Sequence, residues 1–200
     1  MIEYGKFTNI SSNKTVICGK KIMNLSTPVV MGIVNLTDDS FYDGGKYNCL
    51  ESAKRRIEEI VCQKADIIDL GACSTRPGAK LVSPEEEIRR LIPAIRFVKS
   101  EFPNVPISID TVWSEVCIAA INEGADIIND ISGGSFDEKM FDTVASLQVP
   151  YILTHTPAKP DCMQKSTNYN NLFMDICKYF SERLERLRML GAKDIVLDLG

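Results

Sequence analysis

Two hundred residues with 44% hydrophobic and 25% charged side chains is the composition of one globular domain with a sizeable core. A net charge of −4 gives nothing to wrap a nucleic-acid backbone, and no apolar stretch approaches the ~20 residues of a membrane span. Seven cysteines, an odd number without a C-x-x-C pair, predict free thiols in a reducing, cytoplasmic setting, not a disulfide framework or a zinc site.

The N-terminal stretch MIEYGKFTNI has no basic segment followed by an apolar run, so no signal peptide is expected. Residues 4–22 read as a hairpin, with turns at Ser11-Ser12-Asn13 and near Cys18-Gly19-Lys20, covering the amino end of the downstream strands. From Pro28 strands and helices alternate. Leu50, Ala53, Ile57, Ile60 and Val61 recur at helical spacing. Ser83-Pro84-Glu85-Glu86 opens a second helix with an N-cap, a first-turn proline and a capping-box glutamate; Pro93 should kink it. A third helix spans about Trp113–Asn122 and stops near Gly124, and a fourth is expected to start at the box Ser135-Phe136-Asp137-Glu138. A fifth carries Leu172, Ile176, Phe180, Leu184, Leu187 and Leu190 and closes at Gly191; its charge run Glu182-Arg183-Glu185-Arg186-Arg188 reads as a solvated face.

Six apolar runs separate these helices, and each ends on a polar side chain: Val29–Asn35, Ile67–Gly71, Ile107–Asp110, Ile127–Asp130, Tyr151–His155 and Ile195–Asp198. Near-continuous apolar runs are strands buried on both faces. A polar group at the carboxyl end of strand after strand is how a parallel (β/α)8 barrel of the TIM type assembles an active site on one face. The expected fold is therefore α/β: one domain over residues 1–200, with a hairpin in 1–22 and six of eight β/α units in 28–200. The strand ends supply Asn35, Asp69, Asp110, Asn129 or Asp130, His155 and Asp198. Carboxylates accept from a ring N–H and an amino group, and a carboxamide both donates and accepts, so the set suits an uncharged, donor-rich heterocycle. His155 is the only histidine, which excludes a two-histidine metal site, and it is read as structural. No G-x-x-x-x-G-K-[ST] is present, so phosphate is not held by a nucleotide P-loop.

Four segments carry a resemblance: Met31–Gly45 (MGIVNLTDDSFYDGG), Asp69–Ala79 (DLGACSTRPGA), Ile107–Thr111 (ISIDT) and Ala125–Gly134 (ADIINDISGG). Together they resemble the dihydropteroate synthase family of pterin-binding barrel enzymes, over about Pro28 to Gly200. The resemblance implies a transferase of folate biosynthesis that joins 6-hydroxymethyl-7,8-dihydropterin diphosphate to 4-aminobenzoate, giving 7,8-dihydropteroate and diphosphate. It assigns Asp110, Asn129 and Asp198 to the pterin. Asn35 is assigned to Mg²⁺ and the diphosphate, and Asp43 to the closed-loop metal site. Thr75 and Arg76 contact the diphosphate and the arylamine acid, and Phe41 and Pro77 wall the arylamine ring. Asn35, Asp43 and Arg76 are the expected catalytic set. Family members are homodimers built on late helices.

Three positions depart from the family pattern. Asp38 stands where a proline is usual, Cys73 where a glutamate is usual, and Leu199 where a proline is usual. Family enzymes also carry a lysine on the seventh strand and an arginine and a histidine on the eighth, for which no position here is available. The expectation is a chain short of two β/α units and inactive alone. Two alternatives stay open: a non-catalytic pterin-binding remnant, and a pterin-dependent methyltransferase domain, against which Ser74-Thr75-Arg76-Pro77 argues.

Overall fold

A computed structural model describes residues 14–19, 21–36, 46–72, 82–156, 169 and 171–200 (for 46–49, the backbone only). An antiparallel hairpin comes first, with β1 at Thr15–Cys18 and β2 at Lys21–Asn24. Then come β3 (Met31–Asn35), α1 (Lys46–Cys62), β4 (Ile67–Gly71), α2 (Pro84–Glu101), β5 (Ile107–Asp110), α3 (Ser114–Asn122), β6 (Ile127–Asp130), α4 (Met140–Leu147), β7 (Tyr151–Thr154), α5 (Leu172–Met189) and β8 (Ile195–Asp198). The strands β3 to β8 form one parallel sheet in sequential order. Each neighbouring pair is joined by a helix, the repeating unit of the expected α/β barrel wall.

Alternate residues of each strand go to opposite sides. Outward residues such as Val34, Ile68, Leu70, Ile107 and Ile109 pack with Ala53, Ile57 and Ile60 of α1 and Leu91, Ile95 and Val98 of α2. Ile128, Tyr151 and Leu153 pack with Met140, Phe141 and Val144 of α4 and Phe180 and Leu187 of α5. Inward residues near the amino ends, Met31, Ile67, Ile127, Ile152 and Val196, form a third cluster with Val16, Cys18 and Met23 of the hairpin. The hairpin thus closes the amino end of the lumen, leaving the carboxyl end for polar groups.

A short repeat fixes that arrangement. An aspartate stands one residue before β4, β6 and β8: Asp66, Asp126 and Asp194. Asp66 accepts from Val30 N at 2.8 Å, Asp126 from Ile107 N at 2.9 Å and Asp194 from Ile17 N at 2.9 Å. Each carboxylate so satisfies a backbone donor at the amino end of the sheet or on the hairpin. Lys99 adds an ion pair to Asp126 at 2.7 Å.

Several local expectations are corrected. The hairpin turns at Gly19 (φ +59°), the second of the two turns the sequence offers, and its second strand runs to Asn24; the earlier turn lies outside the described residues. The box Ser135–Glu138 does not cap α4, which starts at Met140. Asp137 instead accepts from Ser114 N, the first N–H of α3, at 2.8 Å and from Lys139 N at 2.9 Å. Arg183 is not part of a solvated face. Its guanidinium lies 3.5 Å from the centre of the Tyr179 ring and donates to Gly133 O at 3.0 Å, locking α5 to the loop after β6.

Candidate functional site

Sheet register decides which strand-end groups share the lumen. Asn35 pairs with Gly71, Gly71 with Asp110, and Asp110 with Asn129, one row across four strands. Asp69 and Ser108 form the row beneath. Thr154 and Asp198 pair on the far side, and Thr154 Oγ1 donates to Asp198 Oδ2 at 3.3 Å. The structure therefore brings together Asn35, Asp110, Asn129 and Asp198, with Asp69 at the floor. Asp43, Phe41, Thr75, Arg76 and Pro77 lie outside the described residues.

Gly71 sets the spacing of this row. A Cβ built there would stand 3.1 Å from Asn35 Oδ1 and 3.3 Å from Asp110 Oδ2. Glycine at this position lets the carboxamide of β3 and the carboxylate of β5 approach across β4.

The floor is tightly drawn. Asn129 Nδ2 donates to Asp69 Oδ2 at 3.2 Å. Asp69 is buried, and among the described residues its Oδ1 and the neighbouring Ser108 Oγ complete no hydrogen bond. Burial pushes the Asp69 carboxyl above its ordinary range, with the side chains of Ser108 and Asn129 offsetting part of the rise. Asp110 is pushed up to about 7, by burial first and then by the negative charges of Asp69, Glu87 and Asp130. The described part of the lumen is thus rich in acceptors, a setting for a ligand that brings N–H donors.

Of the pair Asn129 and Asp130, only Asn129 faces the lumen. Asp130 turns to the helix side, is fully buried, and accepts from Ser132 N (2.7 Å), Ser132 Oγ (2.6 Å), Gly134 N (2.7 Å) and Tyr151 OH (2.6 Å). Its role is to fold the loop after β6. His155 also faces away; its ring packs edge-on to Tyr179 at 4.8 Å, and the residue is buried. Both are structural, as was expected of His155.

Two residues of the site's surroundings were not legible as such. Glu87 is buried in α2 and accepts from Thr111 Oγ1 at 2.8 Å. In a run of three glutamates it reads as first-turn dipole compensation. The available signal was its place four residues before Leu91 on the buried stripe Glu87, Leu91, Ala94, Ile95, Val98. Arg90 of the same helix donates to Leu36 O at 3.5 Å and Ala72 O at 3.4 Å, bracing the ends of β3 and β4.

Among the described residues no group of three or more His, Cys, Asp or Glu side chains is placed to hold a metal ion. The one described residue with the expected metal role is Asn35, exposed at its strand end, whose carboxamide oxygen is the hard donor Mg²⁺ prefers. That donor fits Mg²⁺ only where further oxygens, such as those of a substrate diphosphate, complete the coordination.

A parallel β/α sheet with a sealed amino end and a row of acceptors at its carboxyl end defines a protein of the β/α-barrel class. The profile of the pterin binding enzyme family matches residues 31–200, and the chain belongs to that family. It is 45% identical over 177 residues to a folate synthesis bifunctional protein of Arabidopsis thaliana, covering 86% of this chain and 37% of that protein. It is 42% identical over 173 residues to a dihydropteroate synthase of Synechocystis, covering 86% of this chain and 60% of that protein. A structure of Xanthomonas albilineans dihydropteroate synthase with 4-aminobenzoic acid superposes with a TM-score of 0.85 at 35% identity, covering 94% of this chain and 67% of that one. The chain thus spans less than two thirds of the length of these two curated relatives.

Proposed function

We propose that this chain carries the pterin-gripping part of a dihydropteroate synthase, which condenses 6-hydroxymethyl-7,8-dihydropterin diphosphate with 4-aminobenzoate. The observation that carries the reading is the lumen row: Asp110 and Asn129 in register, Asp198 at the next open strand end, and Asp69 beneath, in a member of the pterin binding enzyme family. A pterin presents a 2-amino group, a ring N–H and a carbonyl. Asp110 and Asp198 accept from such donors. Asn129, with one amide hydrogen held by Asp69, keeps its other hydrogen and its oxygen for the ring.

The charge distribution orders the rest. Buried carboxyl groups surround the pterin end, so the diphosphate belongs at the open rim beside Asn35. The C–O bond to the diphosphate breaks and takes its electron pair with it, leaving positive charge on the pterin methylene and ring. Asp110, Asp69 and Asp198 stabilise that charge without moving. The arylamine nitrogen then forms the new C–N bond with its lone pair and releases its proton to water. Asn35, with the diphosphate oxygens, would hold Mg²⁺, and the chemistry it would supply there is charge neutralisation of the leaving group. Arg76 is the cation the family resemblance gives for the same purpose.

A reducing, cytosol-like compartment belongs to the same proposal. The support is chemical: Cys18 and Cys117 are buried free thiols, each with its pKa raised, mainly by burial. Among the described residues no helix is long and apolar enough to cross a membrane.

Calorimetry with 6-hydroxymethyl-7,8-dihydropterin tests the reading. The wild-type chain should bind it. Asp110→Ala and Asn129→Ala should each weaken binding by about one to two orders of magnitude, since each leaves a buried ring donor or acceptor unpaired at ~1–3 kcal/mol. Equal affinity in wild type and both variants removes the pterin from this lumen.

A further inference from the structure

Asp110 and Asn129 are tied together from behind by a single residue. Thr111 comes directly after Asp110 in the chain, and its backbone N–H donates to Asn129 O at 3.1 Å. Its hydroxyl is buried and used twice: it donates to Glu87 Oε2 at 2.8 Å and accepts from Trp113 N at 3.2 Å. Trp113 in turn donates from its indole Nε1 to Val82 O at 3.2 Å, just before α2 begins. The Thr111 hydroxyl is therefore one anchor of the corner between β5 and α3, beside the Trp113–Val82 bond and Asp137 on Ser114 N, and it is itself held by one carboxyl of the neighbouring helix.

The anchor is unusual for a structural contact. Glu87 is 1% exposed, and its second oxygen, Oε1, has no hydrogen-bond partner among the described residues. A buried carboxyl held on one side only is destabilising by itself. An apolar side chain on this stripe of α2 would pack without that cost. A carboxyl at this position is explained if the Thr111 hydroxyl must be held at that point.

Resting on the pterin reading above, we propose that Glu87 and Thr111 are positioning residues for the heterocycle: through the β5–α3 corner they hold Asp110 and Asn129 at the separation the ring requires. Neither touches the ligand. Burial pushes the Glu87 carboxyl up to about 7, against the pull of the Thr111 hydroxyl and the charge of Arg90. Protonation on Oε1 would leave Oε2 as the acceptor that Thr111 uses, so the strut holds with the carboxyl charged or neutral.

The only tryptophan of the chain, Trp113, is bonded to this hydroxyl and reports on the corner. The experiment compares wild type with Thr111→Val, Thr111→Ser, Glu87→Leu and Glu87→Gln. Dihydropterin affinity is read by calorimetry below the melting transition, Trp113 emission without ligand, and exchange of the amides at 110–113 by mass spectrometry. Thr111→Val and Glu87→Leu should weaken dihydropterin binding by about tenfold, the size of one lost buried hydrogen bond. They should also shift Trp113 emission and speed exchange at the corner. Thr111→Ser and Glu87→Gln keep a hydroxyl and an acceptor oxygen of similar shape, and should stay within about twofold of wild type. If Thr111→Val or Glu87→Leu fails to fold, exchange and affinity in the two conservative variants still decide. Loose exchange with wild-type affinity in any variant overturns the proposal, as does lost melting stability with an unmoved dissociation constant. Wild type that binds no dihydropterin fails at an earlier point: it overturns the pterin reading, and the positioning role with it.

Discussion

Asn129 of β6 and Asp69 of β4 are joined by a hydrogen bond of 3.2 Å from Nδ2 to Oδ2, across the intervening strand β5. The bond fixes which end of the carboxamide faces the floor of the lumen and which group is left for a ligand. Carboxamide orientation is otherwise a two-fold choice, and a free rotor would offer the ring the wrong group half the time.

Asp69→Ala should therefore weaken dihydropterin binding by about tenfold while changing stability by less than about 1 kcal/mol, because the lost carboxyl is itself buried with one oxygen unpaired among the described residues. Calorimetry and urea unfolding on the same preparation check both halves. A variant that binds as tightly as wild type would mean that Asn129 is oriented by something other than Asp69.

Gly71→Ala places a methyl 3.1 Å from Asn35 Oδ1 and 3.3 Å from Asp110 Oδ2. Neither contact is a severe clash, so the sheet should survive and the neighbours give by a few tenths of an ångström. The expected outcome is a small change in melting temperature with a dihydropterin affinity lowered about tenfold, since a displacement of this size already spoils a bound geometry. Melting temperature unchanged together with affinity unchanged would show that the row tolerates wider spacing.

Asp130 and Asn129 are neighbours in sequence with opposite roles, and substitution separates them. Asp130→Ala removes the acceptor for four donors at 2.6–2.7 Å from Ser132, Gly134 and Tyr151. Stability should fall by about 3 kcal/mol or more, the cost of leaving several buried donors unpaired. Asn129→Ala should cost far less stability and weaken ligand binding. Chemical denaturation of the two variants side by side is the check, and the reverse ranking would exchange their assigned faces.

The strand ends were readable because a buried parallel strand is a nearly unbroken apolar run, so the first polar residue marks where the lumen opens. Asn35 and Asp198 were found that way, and Asp110 as the residue that ends Ile107–Asp110 after the polar Ser108. The choice between Asn129 and Asp130 was not readable, because adjacent residues face opposite sides and only register says which side is inward. Glu87 was hidden in Glu85-Glu86-Glu87, where charge argues for solvent and the stripe of Leu91 and Ile95 argues for burial. Burial won, with Thr111 as its partner. Asp137 was misassigned for a similar reason: its capping chemistry was recognised, but it serves the N-terminus of α3, a helix earlier in the chain. Tertiary proximity, not local pattern, chose its partner.

The buried carboxyls also predict how stability varies with pH. Glu87 rises from an ordinary 4.5 to about 7 on folding, chiefly by burial, so the folded chain binds more protons than the unfolded chain between those values. Stability contributed by such a group is fully present below the unfolded pKa and is lost as pH rises through the folded one. Asp110, raised to about 7 mainly by burial, acts in the same direction. Glu86 acts oppositely: its bonds to Arg89 and Arg90 lower it to about 2, so its smaller, exposed contribution is lost only in acid. Unfolding free energy measured in urea should decline from pH 5 to pH 7, with a slope of up to about 1.4 kcal/mol per pH unit for each raised carboxyl. Glu87→Gln removes one titrating group without removing the bond to Thr111, so the variant curve should be flatter than wild type, with its relative stability improving toward pH 8. Parallel curves for the two proteins across this range would show that Glu87 titrates normally and that its burial is relieved by solvent.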